Sequence, residues 1–320
     1  MNIRTGSVPA FPASDLPREE LLPVFQQSWW LDVLCGADGW KARAVLESGG
    51  GNTLVWPVFT KKIGPLHYLT LPPFTQQLEW TYNETEAYRY TGFFEKNKRT
   101  FMFRLGLPDT PANRRLLEAW GFRCSRGFTY RIARPATEEQ AWQKISATAR
   151  ARIRKSAAVL RVRRVNDSDR LYALAAKSHR RHGLGMGVTE AACSRLVRAC
   201  AEKDRGGVFL AEDARGQVHA AALAVWDRQR LYYLLAGMDD AIQQTGAPRL
   251  LIWHTMQLAF SKGLDYDFHG GMAPEVGSVY ASMGAKPSFY LRAVRYRPAF
   301  LQQIVTTAKR FYAPNDRIYH

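Results

Sequence analysis

The chain predicts a mixed α/β fold, with parallel and antiparallel strands in one kind of sheet, built as two tandem domains joined by a helix. Three observations predict it. In the second half, strand-like runs separated by turn residues give way to alternating helix and strand signals, so an antiparallel meander leads into helix-crossed strands. The first half repeats this order. The segments RRLLEAWGFRCSRGFTYRI and GSVYASMGAKPSFYLRAVRY both carry a helix that stops at an apolar residue before Gly and is followed by an aromatic strand.

In the first half, residues 39–47, 53–60, 66–71 and 101–105 read as strands, and 113–120 as a helix that runs into Gly121-Phe122 and a strand over 128–132. Between the halves lies PATEEQAWQKISATARARIRKSAAVL. Thr137 and Gln140 have the spacing of a capping box, and Trp142, Ile145, Ala149 and Ile153 share one helical face, which predicts a single linking helix. The second half then gives a strand over 160–165 and helices over 169–182 and 190–203. Strands follow over 208–212, 217–226 and 230–237. A helix begins at Pro248 and stops before Gly263. A strand at Leu264, a helix at Glu275 and a strand over 289–296 complete the order. The expected division is 1–134 for a first, degenerate copy and 135–320 for a second copy with the linking helix and a helical tail.

Lys and Arg number 45 against 28 Asp and Glu, a net charge of +17 that favours polyanionic partners such as RNA, phosphate-bearing cosubstrates or anionic surfaces. Four cysteines, Cys35, Cys124, Cys193 and Cys200, lack Cys-x-x-Cys spacing, so reduced thiols are expected rather than a zinc knuckle or disulfide framework. His179 and His182 lack a third ligand and read as helix-end residues, so no metal is expected. No apolar run approaches the ~20 residues of a membrane span, and the N-terminus lacks an apolar signal core, which predicts a cytoplasmic protein.

Chemistry concentrates in LDYDFHGGMAPEVGSVYASMGA. Leu264, Tyr266 and Phe268 alternate with Asp265, Asp267 and His269, so one face can pack while the other carries titratable groups toward Gly270-Gly271, where the backbone can approach a ligand. Asp267 and His269, with Glu275 as a third candidate, are the residue types that serve as a general base. No Gly-x-Ser-x-Gly motif and no cysteine in a recognisable setting with histidine is present, so no covalent nucleophile is expected. On the linking helix Arg150, Arg154 and Lys155 form a cationic patch suited to a phosphate. Gln76, Gln77 and Trp30 are candidates to line a ligand cleft between the halves, although Trp30 also reads as the start of a packed helix.

This element order resembles the Gcn5-related acetyltransferase (GNAT) superfamily, and two such units in tandem resemble the Fem family of aminoacyl transferases. FQQSWWLDVLCGADGW is similar to that family's opening segment, LVWPVFTKKIGPLHYLTLPPFTQQL to its Trp-Pro strand and Pro-Pro-x-x-Gln loop, ARARIRKS to its Arg-x-x-Ile-Arg-Lys helix, and LDYDFHGGMAPEV with the later MGA to its Asp-Phe-x-Gly segment. The resemblance implies two tandem GNAT-like domains and amide-forming acyl transfer. In the superfamily a Gln/Arg-x-x-Gly-x-Gly/Ala loop cradles the coenzyme A pyrophosphate with backbone N–H groups. Its counterpart here is Gln243, Gly246 and Ala247, followed by Pro248, which has no N–H to donate. Gly277 stands where relatives often carry an acidic residue, with Glu275 two positions earlier.

The reading that follows is aminoacyl transfer from aminoacyl-tRNA to an amine of a small molecule, a peptide or an envelope precursor, with tRNA as partner and no prosthetic group. An N-acyltransferase using acetyl- or acyl-coenzyme A is the alternative. A basic, RNA-binding pseudoenzyme is a third reading from a different class.

Overall fold

The structure is a computed structural model that describes residues 2–6, 19–35, 40–49, 52–78, 99–183, 185–239, 242, 245–271, 273–298 and 300. Its early elements are β1 (Asn2–Gly6), α1 (Ser28–Cys35), β2 (Trp40–Gly49), β3 (Asn52–Ile63), β4 (Leu66–Leu69), β5 (Thr100–Pro108), α2 (Pro111–Ala119) and β6 (Arg123–Ile132). Then come α3 (Glu138–Lys144), α4 (Ala147–Val159), β7 (Leu160–Val165), α5 (Ser168–Arg181), α6 (Glu190–Glu202), β8 (Gly206–Asp213), β9 (Val218–Trp226) and β10 (Arg230–Met238). The order closes with α7 (Ala247–Ser261), β11 (Asp265–Asp267), α8 (Pro274–Ser282) and β12 (Lys286–Tyr296). The mixed α/β class read from the sequence is thus the observed one, and no described helix is long and apolar enough to cross a bilayer.

By packing, the chain divides into two units: residues up to 128 together with those from 289 onward, and residues 129–288. In the first unit the strand order is β1-β2-β3-β4-β5-β12, antiparallel except between β4 and β5. Phe103, Leu105 and Leu107 alternate inward from β5 and meet Leu116 and Leu117 of α2, whose start is set by the Thr110 hydroxyl accepting from Asn113 N and by Pro111 at its first turn.

The second unit has the order β6-β11-β10-β9-β8-β7, with a parallel pair only at β10–β11. Strand β9 is buried along nearly its whole length because helices cover both faces, which is why its sequence is an almost unbroken apolar run. Ala220, Ala222 and Ala224 join one core with Leu251, Met256 and Ala259 of α7. On the opposite face α5 passes so close to β10 that a Cβ at Gly237 would lie 2.2 Å from the Leu174 carbonyl carbon.

The linking helix differs from the sequence expectation. It breaks at Ile145, whose ψ of 135° is extended, and restarts with Ser146 as the cap of α4, its Oγ accepting from Ala149 N at 3.3 Å. Ser146 N in turn donates to the Ser282 carbonyl at 2.9 Å, so the break is held by tertiary contact. Ile145, Ala149 and Ile153 are nonetheless buried on one side, as the periodicity requires. The helical tail expected after residue 300 lies outside the described residues.

Candidate active site at the end of strand β11

Strand β11 pairs with β10 for only three residues, Asp265 to Asp267 against Arg230 to Tyr232, whereas β10 continues to Met238 alongside β9. The sheet therefore opens beyond Asp267, beside the turn over residues 268–271. Leu264, Tyr266 and Phe268 are buried as the alternation predicts. The opposite face is not open to solvent at Asp267, which is 1% exposed. Its Oδ1 accepts from Thr129 Oγ1 and from His269 N, both at 2.8 Å, and its Oδ2 accepts from Arg131 Nε at 2.5 Å. Gly270 N donates to the same Thr129 hydroxyl oxygen at 3.1 Å. Asp267 thus ties β6 to the turn and holds His269 in place.

His269 has φ 50°, in the left-handed region, and meets the Tyr232 ring edge-on at 5.8 Å between centroids. Tyr232 is held by its own hydroxyl, which donates to the buried Asp227 at 3.0 Å, and burial pushes that phenol well above its usual pKa. Glu275 is exposed in the first turn of α8, where the helix N-terminus favours its charge. Gly277, in the place of an expected acid, is fixed by space: a Cβ there would stand 2.8 Å from the Gly271 carbonyl oxygen and 2.9 Å from the Tyr130 hydroxyl. Gly271, with φ 101°, would meet the Tyr130 and Tyr280 rings at 2.6 and 2.8 Å. The ring of Tyr280 stacks on Phe268 at 4.0 Å, and burial raises the pKa of its hydroxyl, which stays protonated near neutral pH.

A second constellation lies where α7 begins. Gly246, at φ 75°, caps the helix so tightly against α4 that a Cβ would lie 2.5 Å from Ser156 Oγ. The Ser156 hydroxyl, fully buried, is shared between the carbonyls of Arg152 and Thr245. Under the loop, His219 bridges Thr245 Oγ1 at 3.1 Å and Asp213 Oδ2 at 3.4 Å, while backbone donors and His219 hold the Asp213 carboxyl below its usual range. Ala247 is buried in the first turn and Pro248 contributes no N–H. Arg249 follows: burial, and then the nearby Arg152 cation, lower its pKa, and its Nε has no hydrogen-bond partner among the described residues. The Arg152 cation thus acts on Arg249 near a helix N-terminus, where an anion would relieve the repulsion. Gln243 lies outside the described residues.

The remaining candidates separate. Arg150 caps the end of α3, donating to the Trp142 and Gln143 carbonyls at 3.4 and 3.3 Å, and Arg154 stacks over the Trp142 ring at 5.3 Å. Lys155 is exposed on α4. Gln76 and Gln77 are half-buried in the first unit. Trp30, a candidate ligand contact that also reads as the start of a packed helix, is 0% exposed in that unit, packed edge-on against Phe25 and Trp29. A large ring with no polar partner for its Nε1 belongs to the core there. Sequence reasoning missed Arg131 and Thr129, which bind Asp267 from over a hundred residues away, and Arg152 and Arg249. Arg152 sat in the quoted basic run, and a wheel about Ser156 would have found it on the buried-loop side.

The cysteines and the paired histidines of α5 sit in simple environments. Burial raises the thiols of Cys193 and Cys200 to about 11 and about 12, and Cys124, half-buried, to about 11. Cys35 lies in α1, with its side chain outside the described set. His179 Nδ1 contacts the Ala175 carbonyl at 2.9 Å and His182 forms the C-cap of α5.

Residues 143–275 match the model of the family described as an acetyltransferase (GNAT) domain. No curated protein matches the chain. Among solved structures it is similar to FemX, at 13% identity and a TM-score of 0.67, over 88% of this chain and 94% of that one. It is also similar to the C-terminal domain of a protein named as a lysylphosphatidylglycerol synthetase from Agrobacterium fabrum, at 13% identity, TM-score 0.53, over 87% and 94%. A tandem GNAT protein from the clavulanic acid biosynthesis pathway aligns at 9% identity, TM-score 0.51, over 92% and 98%. These identities speak for the fold. Residues 143–275 thus match an acetyltransferase (GNAT) domain, and the chain shares its fold with these solved structures.

Proposed function

We propose that the protein transfers an aminoacyl group from aminoacyl-tRNA to an amine. The observation that carries this reading is the first turn of α7, where a proline removes one backbone donor and two arginines, Arg152 and Arg249, supply charge instead. That arrangement suits the phosphates of a nucleic-acid end better than a cradle of backbone N–H groups. FemX and a protein named as a lysylphosphatidylglycerol synthetase, both of similar fold, favour the same class of donor. The amine nitrogen attacks the ester carbonyl, the new C–N bond forms, the ester C–O bond breaks, and the tRNA 3′-hydroxyl leaves with a proton. The amine gives up its own proton to a base.

His269 is our choice for that base. Asp267 has both oxygens occupied by protein donors, which makes it a positioning residue for the turn. Glu275 remains a candidate for orienting the amine from the start of α8. Arg150, Arg154 and Lys155 extend the cationic surface along α4 toward the same donor. We also propose that the halves divided at residues 134 and 135 descend from one duplicated unit, the first copy having lost the glycine turn. Both donors considered belong to the cytoplasm, where the reading places the protein.

The test is incubation of the purified protein with charged tRNA and a panel of amines. Release of deacylated tRNA with formation of an amide supports the reading. No release above background, with consumption of acetyl-coenzyme A, overturns it in favour of acyl-coenzyme A transfer. That second reading is favoured by Gly246, whose left-handed cap keeps the loop turn that a pyrophosphate requires. It predicts a thermal shift with coenzyme A that Gly246→Asp abolishes.

A further inference from the structure

The loop entering α7 is gripped from two sides. From α4, the buried Ser156 hydroxyl donates to the Thr245 carbonyl, and Gly246 follows in close approach to the same hydroxyl. From the sheet, the ring of His219, 6% exposed at the start of β9, reaches the Thr245 side chain, with Nδ1 3.1 Å from Oγ1. The residue just before the helix cap thus has its carbonyl held by one element and its hydroxyl by another.

His219 is itself anchored. Its carbonyl accepts from Asp239 N at 2.9 Å, which fixes the backbone where the strand begins. Its Nε2 lies 3.4 Å from Asp213 Oδ2, while the other oxygen of that carboxylate accepts from Arg215 N and Gln217 N at 2.9 and 3.0 Å. Asp213 opens the tight β8–β9 turn, and Gly216 N donates back to its carbonyl at 3.0 Å. These donors, Gln217 N foremost, hold the carboxyl below its usual range, so near neutral pH it is ionised and can only accept. Nε2 therefore carries a proton toward Asp213, and the ring is oriented with Nδ1 on Thr245. The contacts run without a gap from a hairpin turn through Asp213 and His219 to the first turn of α7, so a strand pair sets the shape of the loop.

We propose that His219 is a positioning residue for the acyl donor, acting through the Thr245 hydroxyl to hold the Gly246 turn in the shape that receives the donor's phosphates. This rests on the reading that the donor binds at the start of α7, and it applies to aminoacyl-tRNA and to acyl-coenzyme A alike. His219 takes no part in the chemical step, so its loss is felt in donor affinity.

Steady-state kinetics with charged tRNA and with acetyl-coenzyme A, at saturating amine, test this together with amide hydrogen exchange over residues 245–250. His219→Leu and Thr245→Val are each expected to raise the KM of whichever donor the parent protein uses about tenfold, the worth of one lost hydrogen bond, with kcat and the amine KM within about twofold. The double variant is expected to be no worse than either single one, because both break the same link. Thr245→Ser, which keeps the hydroxyl, is expected to restore the parent KM. Thr245→Val leaves the contact between His219 and Asp213 in place, so a poorly folded His219→Leu does not decide the result. Exchange over 245–250 is expected to quicken in both single variants. A general loss of structure would instead lower kcat, through the active fraction, at unchanged donor KM. An unchanged donor KM in Thr245→Val, additive effects in the double variant, or unchanged exchange over 245–250 overturns the proposal and leaves the reading of the site standing. A parent protein that turns over neither donor overturns that reading, and the proposal with it.

Discussion

At the residue scale, the titratable groups of the 264–269 stretch divide by what they touch. Asp267 accepts three protein hydrogen bonds, one as an ion pair with Arg131, and almost no water reaches it. Asp267→Asn leaves the Arg131 guanidinium without its counterion, and chemical denaturation should show a loss of about 3 kcal/mol. His269→Ala should leave stability nearly unchanged but lower kcat by about a hundredfold or more, read from initial velocities. Gly277→Asp would restore a carboxylate where relatives often have one. The crowding by Gly271 and Tyr130 instead predicts a loss of about 1–3 kcal/mol with no gain in rate, read by thermal melts and initial velocities.

At the element scale, two junctions decide where the chemistry sits. The break between α3 and α4 depends on Ser146, which caps α4 through its side chain and binds Ser282 through its backbone. Ser146→Ala keeps the backbone bond and should cost about 1 kcal/mol by denaturation. The break was not legible because the apolar spacing of Ile145, Ala149 and Ile153 is the same whether the helix is whole or interrupted there. What interrupts it is a carbonyl from residue 282, a partner that no local pattern displays. The start of α7 shows the converse case. Gly246 and Pro248 were readable as a cap and a first turn, while Arg152 and Ser156, which close on the loop from α4, are brought to it only by folding.

At the scale of the whole molecule, charge and buried thiols set the solution behaviour. For the proposed tRNA donor, the net charge of +17 predicts an affinity that falls about tenfold or more between 50 and 200 mM salt, measurable by filter binding. Burial holds the thiols of Cys193 and Cys200, at about 11 and about 12 when folded, above the ordinary thiol value of 9.0. A raised folded value means that their contribution to stability is complete below about pH 9 and is lost as pH climbs toward 11–12. Stability should therefore decline across that window, and Cys193→Ala with Cys200→Ala should flatten the decline.

The sequence by itself determined the order of elements, because apolar period and turn residues are local, and it located the glycine turn after Phe268, because only a break in alternation puts polar groups at a strand end. It also marked Gly246 and Pro248 as the start of a helix. Only the tertiary structure decided that Asp267 is a buried tie rather than an open carboxylate, and that Ser156 and Arg152 of α4 close on the loop before α7. Each of those outcomes depends on strands or loops distant in sequence arriving at the same place. Hydrogen bonding and desolvation, which set what a charged group can do, are fixed only there.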